Sequence, residues 1–138
     1  IFEKLEGFEH LTKKYHVINL GWIDGEKLIQ ALCAADIFLM PSIQESFGLM
    51  AIEAMACSLP VIAAEGTALP EVIGDNIGGL IVRKKDSNAI VQAILTLMNN
   101  LELTNQLGLS ARKRVEELYT IEKCITTHKN LYLKINNI

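Results

Sequence analysis

Short apolar runs alternate with stretches of helical periodicity along this chain. Val17 to Leu20, Ile37 to Met40, Val61 to Ala64 and Gly79 to Val82 are brief, are bounded by Gly, Pro or polar residues, and read as buried strands. Around them lie helical patterns. Ile1 to Tyr15 places Ile1, Leu5, Phe8 and Leu11 at helical spacing, and Glu26 to Ala34 directs Leu28, Ile29, Leu32 and Cys33 inward. Phe47 to Cys57 is rich in Ala, Met and Leu with no internal Pro, a composition that favours helix. Pro70 to Ile73 is a shorter helix whose Pro suits a first turn, where Glu71 is also favoured.

After Val82 the pattern is helical throughout. Arg83 to Asp86 reads as a solvated linker rather than a phosphate clamp, with Asp86 or Ser87 capping the next helix. Ala89 to Met98 is amphipathic, and Leu101 to Leu118 continues with a basic segment from Arg112 to Arg114. Ile121, Cys124, Ile125, His128, Leu131, Tyr132 and Ile135 then share one helical spacing. Strands alternating with helices predict an α/β fold, a Rossmann-like, doubly wound parallel sheet of four or five strands flanked by helices. Residues 1–138 form a single domain on this reading, with C-terminal helices over about residues 87–136.

Composition narrows the function classes. Of 138 residues, 50% are hydrophobic and 21% charged, ordinary for a globular domain with a real core. A net charge of −3 offers no basic field for nucleic acid. No apolar run approaches a membrane span, and no signal peptide opens the chain, which implies a cytoplasmic location. The first residue is Ile1 rather than Met, as expected of an excised fragment. Cys33, Cys57 and Cys124 are odd in number and lack metal spacing, so they read as reduced core thiols. His10, His16 and His128 are scattered and read as helix-face or surface residues, and no metal site is expected.

The candidate chemistry lies between Ile37–Met40 and Val61–Ala64. In a strand–loop–helix–strand unit the ligand side is the loop at the carboxyl end of the first strand. Ser46 reads as an N-cap, leaving the amides of Phe47, Gly48, Leu49 and Met50 as unpaired donors. Free amides and the positive end of the helix dipole make an anion site, and Gly48 lets a phosphate approach the backbone. Glu45 precedes the helix, and Glu53 follows about 8 Å along its axis. Carboxylates on either side of an anion site suit hydroxyls, such as those of a ribose and a sugar joined by a diphosphate. The next loop, with Gly66 and Thr67, opens on the same crevice and reads equally as a turn into the following helix or as a sugar contact. Asp36 reads as a turn residue.

Glu45 and Glu53 at this spacing, preceded by Ala35-Asp36-Ile37 and Pro41-Ser42, resemble the signature of the retaining glycosyltransferases of the GT-B fold, the "group 1" family. Glu53 to Ile62, Gly66 to Val72 and Gly78 to Val82 continue that pattern in order, and the resemblance spans Val17 to Val115. It implies the C-terminal, donor-binding half of a GT-B enzyme that transfers a sugar from a nucleoside diphosphate sugar to an acceptor hydroxyl. Glu45 then serves catalysis, and Ser46, Phe47, Gly48, Leu49, Met50, Glu53, Gly66 and Thr67 bind the donor. Ile23 would lie beside the base, although packing of Trp22 and Ile23 onto a core explains them equally well. The donor would be a UDP-sugar, with a GDP-sugar as the next choice, and no metal or other cofactor is implied. The acceptor, a glycan, lipid or small molecule, would belong to a separate N-terminal domain, and the full enzyme could sit at the inner face of a membrane. The family's upstream strand and Gly-rich turn, and the Arg and Lys that neutralise the diphosphate, have no counterpart here, so part of the anion site is missing; without the acceptor domain, the fragment alone should be inactive. Ser58 stands where the family usually has Gly, at a cost of about 1 kcal/mol if that position needs φ > 0.

Two other classes compete. The first is a non-catalytic α/β ligand-binding or receiver-like module; a receiver would need clustered acids at several strand ends and a reactive Asp, which Asp36 and Asp75 do not supply. A glycoside hydrolase would use Glu45 and Glu53 about 5–10 Å apart across a sugar, and would have no use for an anion site between them.

Overall fold

The computed structural model describes residues 14–136. The chain divides into two compact units, residues 1–31 and 32–138, with the boundary inside helix α1 (Gly25–Cys33). In the first unit Lys14 and Tyr15 are helical, and the rest of the helix expected over Ile1 to Tyr15, with His10, lies outside the described residues.

Residues Val17 to Leu20 correct the sequence reading. They are not a strand, and Ile18 and Leu20 are exposed. An apolar run becomes a strand only when a neighbour accepts its ladder of hydrogen bonds, and a run of apolar residues cannot supply that neighbour.

The second unit holds a three-stranded parallel sheet in the order β1 (Phe38–Met40), β2 (Val61–Ala64), β3 (Gly79–Val82). This replaces the expected four or five strands among the described residues. Phe38 pairs with Val61 and Met40 with Ala63, so the β1–α2–β2 connection is a parallel crossover, as expected. Helix α2 (Leu49–Ala56) joins β1 to β2, and α3 (Leu69–Ile73) joins β2 to β3. Helices α4 (Ser87–Met98), α5 (Leu101–Leu118) and α6 (Ile121–Asn136) complete the chain's described elements.

All four residues of β2 are buried. Successive side chains of a strand point to opposite faces, so both faces of this central strand are covered. Ile62 packs with Val82, with Ala93 and Leu97 of α4, and with Leu107 of α5. Helices α2 and α3 pack on the sheet as well, and α2 also rests on α5. Asp86 caps α4, its carboxylate accepting from the Ala89 amide at 2.9 Å, as the sequence predicts. Asn100 caps α5 in the same way through Leu103.

Two glycines set how closely the layers approach. A Cβ at Gly79 would run into the Val61 backbone, and one at Gly108 of α5 would run into the Ser58 carbonyl. The basic segment of α5 is structural. Arg114 donates to the carbonyls of Glu71 and Val72 at 2.8 Å each, at the end of α3, and Arg112 donates to the Ala56 carbonyl at the end of α2.

Several expected inward positions are exposed. Ile29 and Cys33 of α1 face solvent, as do Cys124, Ile125, Leu131, Tyr132 and Ile135 of α6, none of whose described residues is buried. Cys33 and Cys124 are therefore not core thiols, and Cys57 is only partly covered. Helical periodicity marks an apolar face without marking what covers it. Among the described residues no helix is long and apolar enough to cross a membrane.

Candidate functional site

Parallel strands end on one edge, so the segments after β1, β2 and β3 meet there. They are residues 41–48, 65–68 and 83–86. The first two enclose an open cleft of about 530 Å³ lined by Ile43, Gln44, Glu45, Ser46, Gly66 and Thr67.

The loop before α2 differs from the sequence reading. The helix begins at Leu49, and its N-cap is Gly48 in the left-handed region (φ 91°, ψ 47°), not Ser46. A residue at such φ cannot be helical, so Phe47 and Gly48 fall outside the helix. The space beside the Gly48 Cα is filled by Leu69, whose Cδ2 would stand 2.5 Å from a Cβ there.

The amides of this loop are not free either. One carboxylate oxygen of Glu45, Oε1, accepts from Ser46 N at 3.0 Å, Phe47 N at 3.3 Å and Gly48 N at 3.1 Å. Three successive N–H groups converging on one point form a nest for an anion, and here the anion is the chain's own carboxylate. The amides of Leu49 and Met50, in the first turn of α2, have no partner inside the helix. The Glu45 carbonyl accepts from Ala68 N at 3.2 Å, tying the first loop to the second.

The second loop is a tight turn that also walls the cleft. Gly66 has φ 73°, and the Thr67 hydroxyl accepts from Leu69 N at 3.1 Å while donating to the Ala64 carbonyl at 3.4 Å. The Thr67 hydroxyl is thereby engaged in starting α3.

Glu45, Ser46, Gly66 and Thr67 thus share one cleft. Phe47 and Leu49 line a different, apolar groove with Tyr119 and Ile121, and the Phe47 ring meets Tyr119 edge-on with centroids 6.2 Å apart. Met50 and Glu53 are exposed on α2, the latter between buried neighbours Ile52 and Ala54. Ile23 lies in the first unit, half-buried beside Trp22, which is 91% exposed and so does not pack onto a core.

The cleft and the loop at Gly66 also bring in residues that the sequence reading passed over. Ile43 and Gln44 line it, and their position directly ahead of Glu45 was the available signal. Lys84, read as part of a solvated linker, lies against Gly66, its Nζ 3.3 Å from where a Cβ would stand. It comes after β3, and the rule that strand ends share an edge could have found it. Among the described residues no group of three His, Cys, Asp or Glu side chains could hold a metal ion.

A parallel α/β unit with glycine-bearing loops and a carboxylate at the carboxyl edge of its strands is an architecture built to hold a ligand at that edge. A family model described as "Glycosyl transferases group 1" matches residues 3–114, and the chain belongs to that family.

O-antigen chain mannosyltransferase B of Escherichia coli is 35% identical over 127 residues, covering 90% of this chain and 32% of that protein. Sucrose-phosphate synthase from Thermosynechococcus elongatus superposes with a TM-score of 0.84 at 34% identity, over 95% of this chain and 34% of that one. A mutant of S. aureus TarM, solved in complex with Fondaparinux, alpha-GlcNAc-glycerol and UDP, superposes with a TM-score of 0.69 at 30% identity, over 77% of this chain and 22% of that one. The chain spans 24%, 39% and 32% of the length of three curated relatives that it matches.

Proposed function

We propose that this domain binds the nucleoside diphosphate sugar in a retaining glycosyltransferase that passes the sugar to an acceptor hydroxyl held by another domain. The observation that carries the reading is the carboxyl-edge cleft lined by Glu45, Ser46, Gly66 and Thr67, with the amides of Ser46 to Gly48 gathered on the Glu45 carboxylate at its border. Membership of the family and the UDP in a structure 30% identical to this chain support it.

In this reading the diphosphate lies over the nest and the first turn of α2, where backbone donors and the helix dipole favour negative charge. Glu53 leans toward the helix N-terminus, as helical side chains do, and accepts hydrogen bonds from the ribose hydroxyls. Glu45 faces the transferred sugar and the positive charge that develops at its reacting carbon. Gly66 and Thr67 border the sugar, Ile23 serves the base, and uridine is preferred over guanosine. Binding proceeds without a divalent metal, and EDTA leaves it unchanged. The acceptor is a glycan, lipid or small molecule, and the complete enzyme works in the cytoplasm or at the inner face of the membrane. The domain alone does not transfer sugar, because holding donor and acceptor together supplies up to roughly 7–11 kcal/mol of such a barrier.

Calorimetric titration of the full chain and of Glu53→Ala with UDP and UDP-glucose tests the assignment. Hydrogen bonds to a charged group contribute about 1.5–3 kcal/mol, so Glu53→Ala should weaken both ligands by roughly 10- to 150-fold. Unchanged affinity for both would remove Glu53 from the site, and no binding to the parent chain would remove the nucleotide-sugar reading itself.

A further inference from the structure

We propose that the Glu45 carboxylate is an internal stand-in for the donor's diphosphate: it closes the amide nest in the free protein and is displaced when the donor arrives. The proposal rests on the donor-binding function proposed for this domain. It starts from the three hydrogen bonds of 3.0, 3.3 and 3.1 Å that one oxygen of Glu45 receives from Ser46, Phe47 and Gly48. Those amides are the donors a diphosphate over this loop would use. A carboxylate and a phosphate cannot occupy them together, because both are anions and each needs the same N–H vectors.

The nest does not depend on the carboxylate for its shape. The Gly48 carbonyl accepts from Ala51 N at 3.0 Å and Ile52 N at 3.2 Å. The Glu45 carbonyl is held by Ala68 N at 3.2 Å, and the Gly48 Cα is backed by Leu69. Only side-chain torsions of Glu45 must change for the nest to open. Glu45 already lines the open cleft of about 530 Å³, so the displaced carboxylate has space on the side assigned to the sugar.

The stand-in has two consequences. The chain's affinity for a diphosphate is lowered by the fraction of time the nest is open, since ligand binds only that form. Glu45 is also delivered to the sugar only after the diphosphate has taken its place, which orders the two events.

The test is calorimetric titration of the full chain, Glu45→Ala and Glu45→Gln with UDP and with inorganic pyrophosphate at one fixed salt concentration. A nest closed about nine-tenths of the time predicts that Glu45→Ala binds both ligands roughly tenfold more tightly. Glu45→Gln should fall between, because a neutral amide oxygen accepts the same hydrogen bonds more weakly than a carboxylate. A measurement on the unmutated chain covers the case in which Ala loosens the loop. The side-chain carboxyl carbon of Glu45 and the amides of Ser46, Phe47 and Gly48 should shift together in NMR spectra and saturate at the same UDP concentration. Equal or weaker UDP binding by Glu45→Ala, or a Glu45 carboxyl resonance that UDP does not move, overturns the stand-in while leaving the nucleotide site in place. Absence of UDP binding by every variant and by the unmutated chain overturns both readings.

Discussion

The two ends of α2 solve the same backbone problem in opposite ways. Each end leaves orphan groups, and each places a residue at positive φ, Gly48 at 91° and Ser58 at 62°. At the C-terminal end the chain satisfies itself. Leu59 N donates to Ala54 O at 3.1 Å and Ser58 N to Met55 O at 3.0 Å, the paired bonds of a Schellman turn. Leu59 is buried, Arg112 covers the Ala56 carbonyl, and Gly108 lets α5 rest on the Ser58 carbonyl. Burial pushes the Cys57 thiol up, with the neighbouring Cys33 thiol adding to the shift and Arg112 opposing it. At the N-terminal end the donors converge on a side chain beside an open cleft. One end is closed by packing, and the other is closed by a group that can leave. The closed end fixes the helix so that the open end is presented at the edge of the sheet.

The largest expected effect is at the closed end. Gly108→Ala gains helix propensity of up to about 1 kcal/mol, but its methyl group meets a carbonyl that the Schellman turn holds in place. Overpacking against fixed backbone costs more, so the net loss should be about 2–3 kcal/mol in denaturant unfolding. UDP affinity of the folded fraction should be unchanged. A change in that affinity would break the division between the ends.

Gly48→Ala comes next. A left-handed alanine costs about 1–2 kcal/mol, while the Leu69 methyl in its way belongs to a side chain that can move. Here the loss of stability should come with weaker UDP binding, because the Gly48 amide is part of the nest. Full UDP affinity in this variant would count against the nest as the diphosphate site.

The smallest effect has the opposite sign. Ser58→Gly removes the strain of a serine at φ 62° and should raise stability by about 0.5–1 kcal/mol with no effect on UDP binding. A destabilised Ser58→Gly would mean that the serine hydroxyl holds this turn.

These two ends also divide what could be read from the sequence. The position of strain at Ser58 was legible only through the family resemblance, which puts Gly there, and the φ of 62° shows why Gly suits it. The three strands of the sheet were legible to within a residue as short apolar runs bounded by Gly, Pro or polar residues, most plainly β2, which is buried on both faces. The edge carrying the cleft came from parallel connectivity. The start of α2 was not legible, because Ser46 has the chemistry of an N-cap and only the fold puts Gly48 in the left-handed region. The engagement of Glu45 with the amides after it was hidden for the same reason: sequence identifies donors and acceptors but not their pairing. Val17 to Leu20 and the apolar stripe of α6 show the other limit, since an apolar pattern names no partner.

The central claim is that ligand binds at the open end of α2 and not at the closed one. The most direct measurement is a titration of the isotopically labelled full chain with UDP, monitored through the backbone amide resonances of residues 41–68 and 97–108. The closed end has a cleft of its own, about 410 Å³ and lined by Ser58, Pro60, Met98 and Thr104 among others, so the comparison has a real alternative. Saturable shifts at Ser46, Phe47, Gly48, Gly66 and Thr67, with Ser58, Leu59 and Gly108 unmoved, are the expected result. Shifts centred on Ser58, Met98 and Thr104, with the amides of residues 46–48 unmoved, would contradict the account.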